Sequence, residues 1–226
     1  MLVRIPALLS KDQVASFRRT LEGLPWVDGK VTAGAQSAKA KRNLQVPDDT
    51  PEARELGQLI LSALGVSEEF VSAALPMRVF PPLFNRYDVG MDFKAHIDNA
   101  VRFAPGMIRI RTDVSCTLFL SEPDEYDGGE LVVQDTYGEQ RVKFAAGDLV
   151  VYPATSLHRV EPITRGARWA AFFWAQSMVR DEGQRRLLYD LDCAIRDVRA
   201  AVSDDFEPAV KLAGVYHNLL RRWAEM

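Results

Sequence analysis

Cysteine and histidine are both scarce, with two and three among 226 residues. Cys116 and Cys193 stand far apart without CxxC spacing, which argues against a disulfide framework and suits a reduced cytosolic compartment with both thiols buried. Nowhere do ~18 uncharged apolar residues run together, so no membrane-spanning helix is expected. The apolar start "MLVRIPALLS" is interrupted by Pro6 and lacks a small-residue cleavage site behind it, so it does not read as a signal peptide. Charge of one sign is also missing: 28 Lys and Arg stand against 31 Asp and Glu, a net charge of -3, with no broad positive field for nucleic acid. Repeats and low-complexity tracts are absent. These absences leave a soluble, cytoplasmic globular protein with neither nucleic-acid nor membrane partners as the expectation.

What is present is enough apolar sequence, 47% hydrophobic against 26% charged, for one large domain or one domain with an appendage. Ser10 can cap a helix over "KDQVASFRRTLEGL", with Val14, Phe17 and Leu21 at helical spacing and Gly23 and Pro25 as stops. A second helix should open at Pro51 over "PEARELGQLILSAL". Between them "VTAGAQSAKAKRNLQVP" reads as a polar loop with strand-like ends, long enough to be suspected of binding something. From Met77 the chain breaks into short apolar or alternating runs with Gly, Pro and Asp turns, the texture of an antiparallel sandwich or barrel. After Val179 two helical patterns return, with apolar residues such as Leu187, Leu191, Ala194 and Ile195, then Leu212, Val215, Leu219 and Leu220. The expected organisation is a support region over 1–76, a β core over 77–178 and a C-terminal helical appendage over 179–226. The appendage should pack on the core or form a homo-oligomer contact.

The scarcity of histidine gives weight to where each one falls. His96 precedes Asp98 by two, and on an extended strand the two side chains would share a face as a chelating pair for a divalent first-row metal. His158, opening "HRV" after "GDLVVYP", is available as the third ligand, whereas His217 lies in a helical run and reads as packing or surface. "HRVEPITRGARW" reads as a hairpin that would set Arg168 opposite His158, and a planar guanidinium there can take a carboxylate in bidentate fashion. Three protein ligands beside such a clamp suit a 2-oxo acid co-substrate. Phe172, Phe173 and Trp174 are candidate core or pocket walls, Asn43 and Gln45 could face a substrate, and Asp88 and Asp92 read as turn or solvent residues.

At these residues the sequence resembles the Fe(II)- and 2-oxoglutarate-dependent dioxygenases, in particular the bacterial PKHD-type hydroxylases of the prolyl-4-hydroxylase-like branch. The likeness rests on Tyr87, Gly90, Phe93, His96 and Asp98 in the order Y-x-x-G-x-x-F-x-x-H-x-D, on "GGEL", on "GDLVVYPATSLHRVEPITRGARW", on "KRNLQVP" and on the C-terminal helices. It implies an α+β chain built on a distorted double-stranded β-helix, or jelly roll, with Fe(2+) held by His96, Asp98 and His158. It further implies that Arg168 binds the distal carboxylate of 2-oxoglutarate, where prolyl hydroxylases use lysine, and that Tyr87 touches the same carboxylate or merely packs against Phe93. The co-reactants implied are O2, an unidentified substrate and, as an auxiliary reductant, L-ascorbate. An iron-uptake context follows from the same resemblance; the alternatives are a non-catalytic iron and 2-oxoglutarate sensor, against which the full triad with Arg168 favours an enzyme, and a cupin-like enzyme without co-substrate, which would leave Arg168 unexplained.

Overall fold

Two antiparallel sheets face each other, and helices cover the outer face of the larger one. The computed structural model describes residues 1–32, 40–202 and 206–225, so the middle of the early polar loop, 33–39, lies outside the described residues. In chain order the first strands are β1 (Val3–Ile5), β2 (Val27–Asp28), β3 (Lys41–Arg42), β4 (Leu44–Gln45), β5 (Pro76–Val79), β6 (Leu83–Tyr87), β7 (Asp92–His96), β8 (Val101–Ala104) and β9 (Ile108–Arg111). They continue as β10 (Val114–Phe119), β11 (Tyr126–Gly128), β12 (Leu131–Asp135), β13 (Gly138–Val142), β14 (Leu149–Pro153), β15 (His158–Val160), β16 (Ile163–Gly166) and β17 (Arg168–Ser177). The helices are α1 (Lys11–Glu22), α2 (Pro51–Val66), α3 (Glu68–Ala74), α4 (Glu182–Ala201) and α5 (Glu207–Trp223).

The larger sheet runs β1-β14-β10-β17-β6-β4-β2, with β5 also on β17, and the smaller runs β13-β12-β15-β7-β3. This is the α+β chain with a jelly-roll core that the sequence led us to expect. Alternation along β17 divides the roles of its side chains. Trp169, Ala171, Phe173 and Ala175 join Phe17, Leu21, Ile60 and Phe70 from the helices in the main core. Arg168, Ala170, Phe172 and Trp174 therefore face the smaller sheet.

Local chemistry explains the helices. Ser10 accepts from the Gln13 amide at 3.2 Å while the Gln13 side chain accepts from the Ser10 amide at 2.8 Å, a reciprocal cap that fixes the start of α1. Helix α2 opens at Pro51 as expected but ends at Val66, because Ser67 leaves helical geometry and caps a further helix, α3, by accepting from the Phe70 amide.

The C-terminal helices pack on each other and on α3, around Leu75, Val179 and Leu188 with Leu219, Leu220 and Trp223. In α4 Ile195 is buried as expected and Leu191 half-buried, but Leu187 is 59% exposed and Ala194 exposed, with Leu188 buried instead. Arg185 sets this rotation by donating inward to the carbonyls of Val179 at 2.8 Å and Arg180 at 2.7 Å. Cys116 is buried as expected, and Cys193 is only half-buried. Among the described residues no helix is long and apolar enough to cross a membrane.

Gly147 ties the N-terminal segment to the sandwich. Its amide donates to Phe119 at 2.8 Å and its carbonyl accepts from Leu9 at 3.2 Å. Its φ is +94° and an added Cβ would lie 2.3 Å from the Leu9 carbonyl oxygen. Gly147→Ala should therefore cost about 1–3 kcal/mol, read as a lower urea midpoint at unchanged slope; an unchanged midpoint would contradict this account.

Candidate active site

Strand β7 ends on His96, and its partner β15 begins on His158, directly opposite in the ladder. The register shifts between this pair and the next, Phe93 opposite Val160, so three residues of β7 span two of β15. Such a bulge re-aims the side chain beside it. His96 consequently stacks on Phe93, ring centroids 3.5 Å apart and 18° from parallel, and meets the His158 ring at 4.2 Å.

Each imidazole has its tautomer set by the main chain. Nδ1 of His96 donates to the Lys94 carbonyl at 2.8 Å, and Nδ1 of His158 to the Ser156 carbonyl at 3.0 Å. A carbonyl can only accept, so both Nδ1 atoms carry the proton and both Nε2 lone pairs are left for a metal.

Asp98 reaches the site differently from the way the sequence suggested. It lies two residues beyond the end of β7 rather than on a shared strand face, and it is held by Ser115 of β10, whose hydroxyl donates to Oδ2 at 2.5 Å. Ligand atoms of His96, Asp98 and His158 all lie within 4.8 Å of one another. Two neutral imidazoles and one carboxylate form the donor set of a facial triad for Fe(II).

Arg168 also arrives by an unexpected route. Strand β15 pairs with β7 and β12, β16 pairs with β11, and β17 belongs to the larger sheet. No hairpin joins His158 to Arg168; they face one cavity from opposite sheets. Arg168 is 1% exposed, and its cross-strand partner is Tyr87 of β6. Its guanidinium carbon stands 5.6 Å from the Tyr87 ring and 5.3 Å from that of Phe119. Nε has no hydrogen-bond partner, and no ion pair joins Arg168 to a carboxylate among the described residues. Burial pushes the Tyr87 phenol up to about 12 against the opposing pull of Arg168, so it stays a neutral donor.

The remaining candidates separate clearly. Phe172, Phe173 and Trp174 all line the cavity, and Phe173 also belongs to the helix-facing core. Asp88 pairs with Arg86 at 2.6 Å. Asp92 is not a solvent residue: it is buried and takes Arg42 at 2.7 Å and Lys94 at 2.8 Å, fastening β3 to β7. Asn43 and Gln45 are buried behind the cavity wall, and from that segment it is Lys41 that lines the cavity, donating to the Gln45 side chain at 3.0 Å. Burial, then Arg102, pushes the Lys41 ammonium down to about 8. His217 is exposed on α5 beside Tyr216.

Sequence reasoning missed Ser115, Lys41 and Arg102. For Ser115 a signal existed, since Ser115 and Thr117 alternate with apolar residues in "VSCTLF" and so share one face of β10. Lys41 and Arg102 sit in strands of two and four residues, too short for any period to mark.

Comparison with known proteins agrees with this geometry. Residues 82–176 match the 2OG-Fe(II) oxygenase superfamily and residues 182–225 the PKHD-type hydroxylase C-terminal domain. The chain is 63% identical over 227 residues to a PKHD-type hydroxylase of Gluconobacter oxydans, covering 100% of both chains. In fold it is similar to a prolyl-4-hydroxylase of Pseudomonas putida, with a TM-score of 0.51, 20% identity and coverage of 78% of this chain and 92% of that one. It is also similar to HygX of Streptomyces hygroscopicus with nickel and 2-oxoglutarate bound, with a TM-score of 0.54, 16% identity and coverage of 78% and 82%.

Two measurements check the site's construction. Ser115→Ala should weaken divalent-metal binding by ~10–100-fold, because the carboxylate loses the bond that aims it; equal affinity would contradict the assigned role of Ser115. Burial, followed by the neighbouring His158, pushes His96 down to about 4 from an ordinary 6.5. The unfolded chain thus takes up this proton first, so the contribution of His96 is complete above 6.5 and is lost as pH falls toward 4. Melting temperatures of the metal-free protein should fall across that window, and His96→Asn should flatten the fall.

Proposed function

This chain belongs to the PKHD-type hydroxylases within the 2OG-Fe(II) oxygenase superfamily, and on that premise we propose that His96, Asp98 and His158 hold its ferrous ion while Arg168 and Tyr87 receive its 2-oxoglutarate. The protein is a hydroxylase with 2-oxoglutarate and O2 as co-substrates. Iron supplies the activation of oxygen when bound, and 2-oxoglutarate leaves as succinate and CO2 while an unidentified substrate is hydroxylated.

The observation that carries the assignment of residues is the state of Arg168. A fully buried guanidinium beside aromatic rings, with an unpartnered Nε and no carboxylate paired to it among the described residues, is costly unless an anion arrives. A dicarboxylate supplies one. Arg168 lines the same cavity as His96, Asp98 and His158. Tyr87, neutral at its raised pKa, can donate to the same carboxylate. Ser115 and the carbonyls of Lys94 and Ser156 keep the three ligands aimed before metal arrives.

The remaining assignments follow that reading. We place the chemistry in 77–178, with 1–76 and 179–226 as support and the C-terminal helices as the surface for self-association. L-Ascorbate acts as an auxiliary reductant for iron oxidised without substrate. The free cysteines fit the reducing cytoplasm in which we place the protein. A sensor that never turned over would have no use for the aromatic cavity beyond the metal ligands.

The test is anaerobic loading with Fe(II) and 2-oxoglutarate, then admission of oxygen and assay of succinate. Wild-type protein should form succinate slowly even without prime substrate. His96→Ala should lose iron binding, whereas Arg168→Ala should keep iron and bind 2-oxoglutarate ~100-fold more weakly, with Arg168→Lys between the two. Iron-loaded wild-type protein that forms no succinate would overturn the reading.

A further inference from the structure

We propose that the hydroxylated substrate is an anion whose oxyanion head is held between Lys41 and Arg102 while its apolar part lies against Phe93, Phe172 and Trp174. The proposal rests on the iron and 2-oxoglutarate reading above and adds the chemical class of the second substrate. Both cations line the same cavity as His96, Asp98 and His158. Lys41 is 4% exposed, with Nζ at 5.6 Å from the Phe93 ring and 5.4 Å from that of Phe172. The Arg102 guanidinium carbon stands 4.2 Å from the Trp174 ring and 5.1 Å from that of Phe80. Aromatic faces lie against both cations, Lys41 buried and Arg102 half-buried.

Two like charges gathered in one cavity repel, and Arg102 is among the charges that disfavour the Lys41 ammonium. Perturbed ionisable groups gather at binding and catalytic sites, and an arriving anion would relieve this repulsion. Asp98 acts on both of them, Asp28 on Lys41 as well and Asp48 on Arg102 as well. Once Asp98 ligates a dication, the one carboxylate common to the two cations is committed to the metal.

The co-substrate is the wrong length to use both ends. Phe172 and Trp174 lie four and six residues along β17 from Arg168, roughly 13 and 20 Å at ~3.3 Å per residue. A five-carbon diacid spans under about 8 Å at ~1.5 Å per bond. An anion held at Arg102, which sits on the Trp174 ring at 4.2 Å, thus belongs to a different molecule from the one at Arg168.

The test uses full-length protein loaded with Zn(II), a redox-silent stand-in, and saturated with 2-oxoglutarate, titrated calorimetrically with phenylacetate, phenyl phosphate and the neutral phenylacetamide. At least one acid should bind about tenfold or more tightly than the amide, and the tighter of the two distinguishes a carboxylate from a phosphate head. Lys41→Met and Arg102→Met should each abolish that preference, leaving amide binding and the 2-oxoglutarate dissociation constant within about twofold. Arg102→Gln serves where methionine disturbs the fold, and the acid-against-amide comparison in wild-type protein needs no variant. No preference for either acid, or variants that retain the preference, would overturn the proposal, as would a Lys41→Met that weakens 2-oxoglutarate as much as the acids. Wild-type protein that fails to bind 2-oxoglutarate counts against the co-substrate assignment instead, and the same comparison without it still decides this one.

Discussion

The pairing of β7 with β15 makes His96 and His158 cross-strand neighbours, and the proposed metal site depends on it. Side chains alternate with a period of two, so a slip of one residue would turn His158 out of the cavity and bring Arg159 in. Several contacts oppose that slip. Val160 and Leu131 are buried in the same cluster, with Phe93 packed against it, and buried Asp92 draws Arg42 and Lys94 together at the other end of β7. The bulge then supplies the rotation that alternation alone does not provide, bringing His96 onto Phe93 and toward His158.

The larger sheet provides what the smaller one lacks. Ser115 comes from β10, Tyr87 from β6, and Arg168 and Trp174 from β17, all facing one cavity. Their other faces carry the main core against α1, α2 and α3. A residue such as Phe173 thus stabilises the same strand whose next residue, Trp174, lines the site. Packing and chemistry are separated by face, and substitutions on the helix side should act on folding while those on the cavity side act on binding.

How much of this was legible in the sequence varies from residue to residue. Scarcity and residue type were enough to pick out His96, Asp98, His158 and Arg168. The reasons offered for their convergence were partly wrong, because they assumed that consecutive strands pair. In this sandwich the chain passes between sheets after β15 and β16, so the presumed hairpin partner of His158 ends up opposite Tyr87 instead. Asp98 was assigned to a strand that had already ended. Along α4 the apolar period marks Ile195 correctly but not Leu188, because Arg185, a residue ordinarily placed on the outside, turns inward to satisfy two carbonyls. Asp92 reads as a turn residue in the sequence because Arg42, fifty residues earlier, becomes its partner only once β3 lies beside β7.

Both imidazoles take their orientation from a carbonyl two residues earlier in the same chain. Every amino acid brings a carbonyl, so the identity of the side chains at 94 and 156 is irrelevant to the tautomer. The ligands' protonation pattern is thereby insulated from mutational drift at its own supporting positions. What evolution must preserve there is a backbone path, whereas at 115, where a hydroxyl does the supporting, it must preserve a residue.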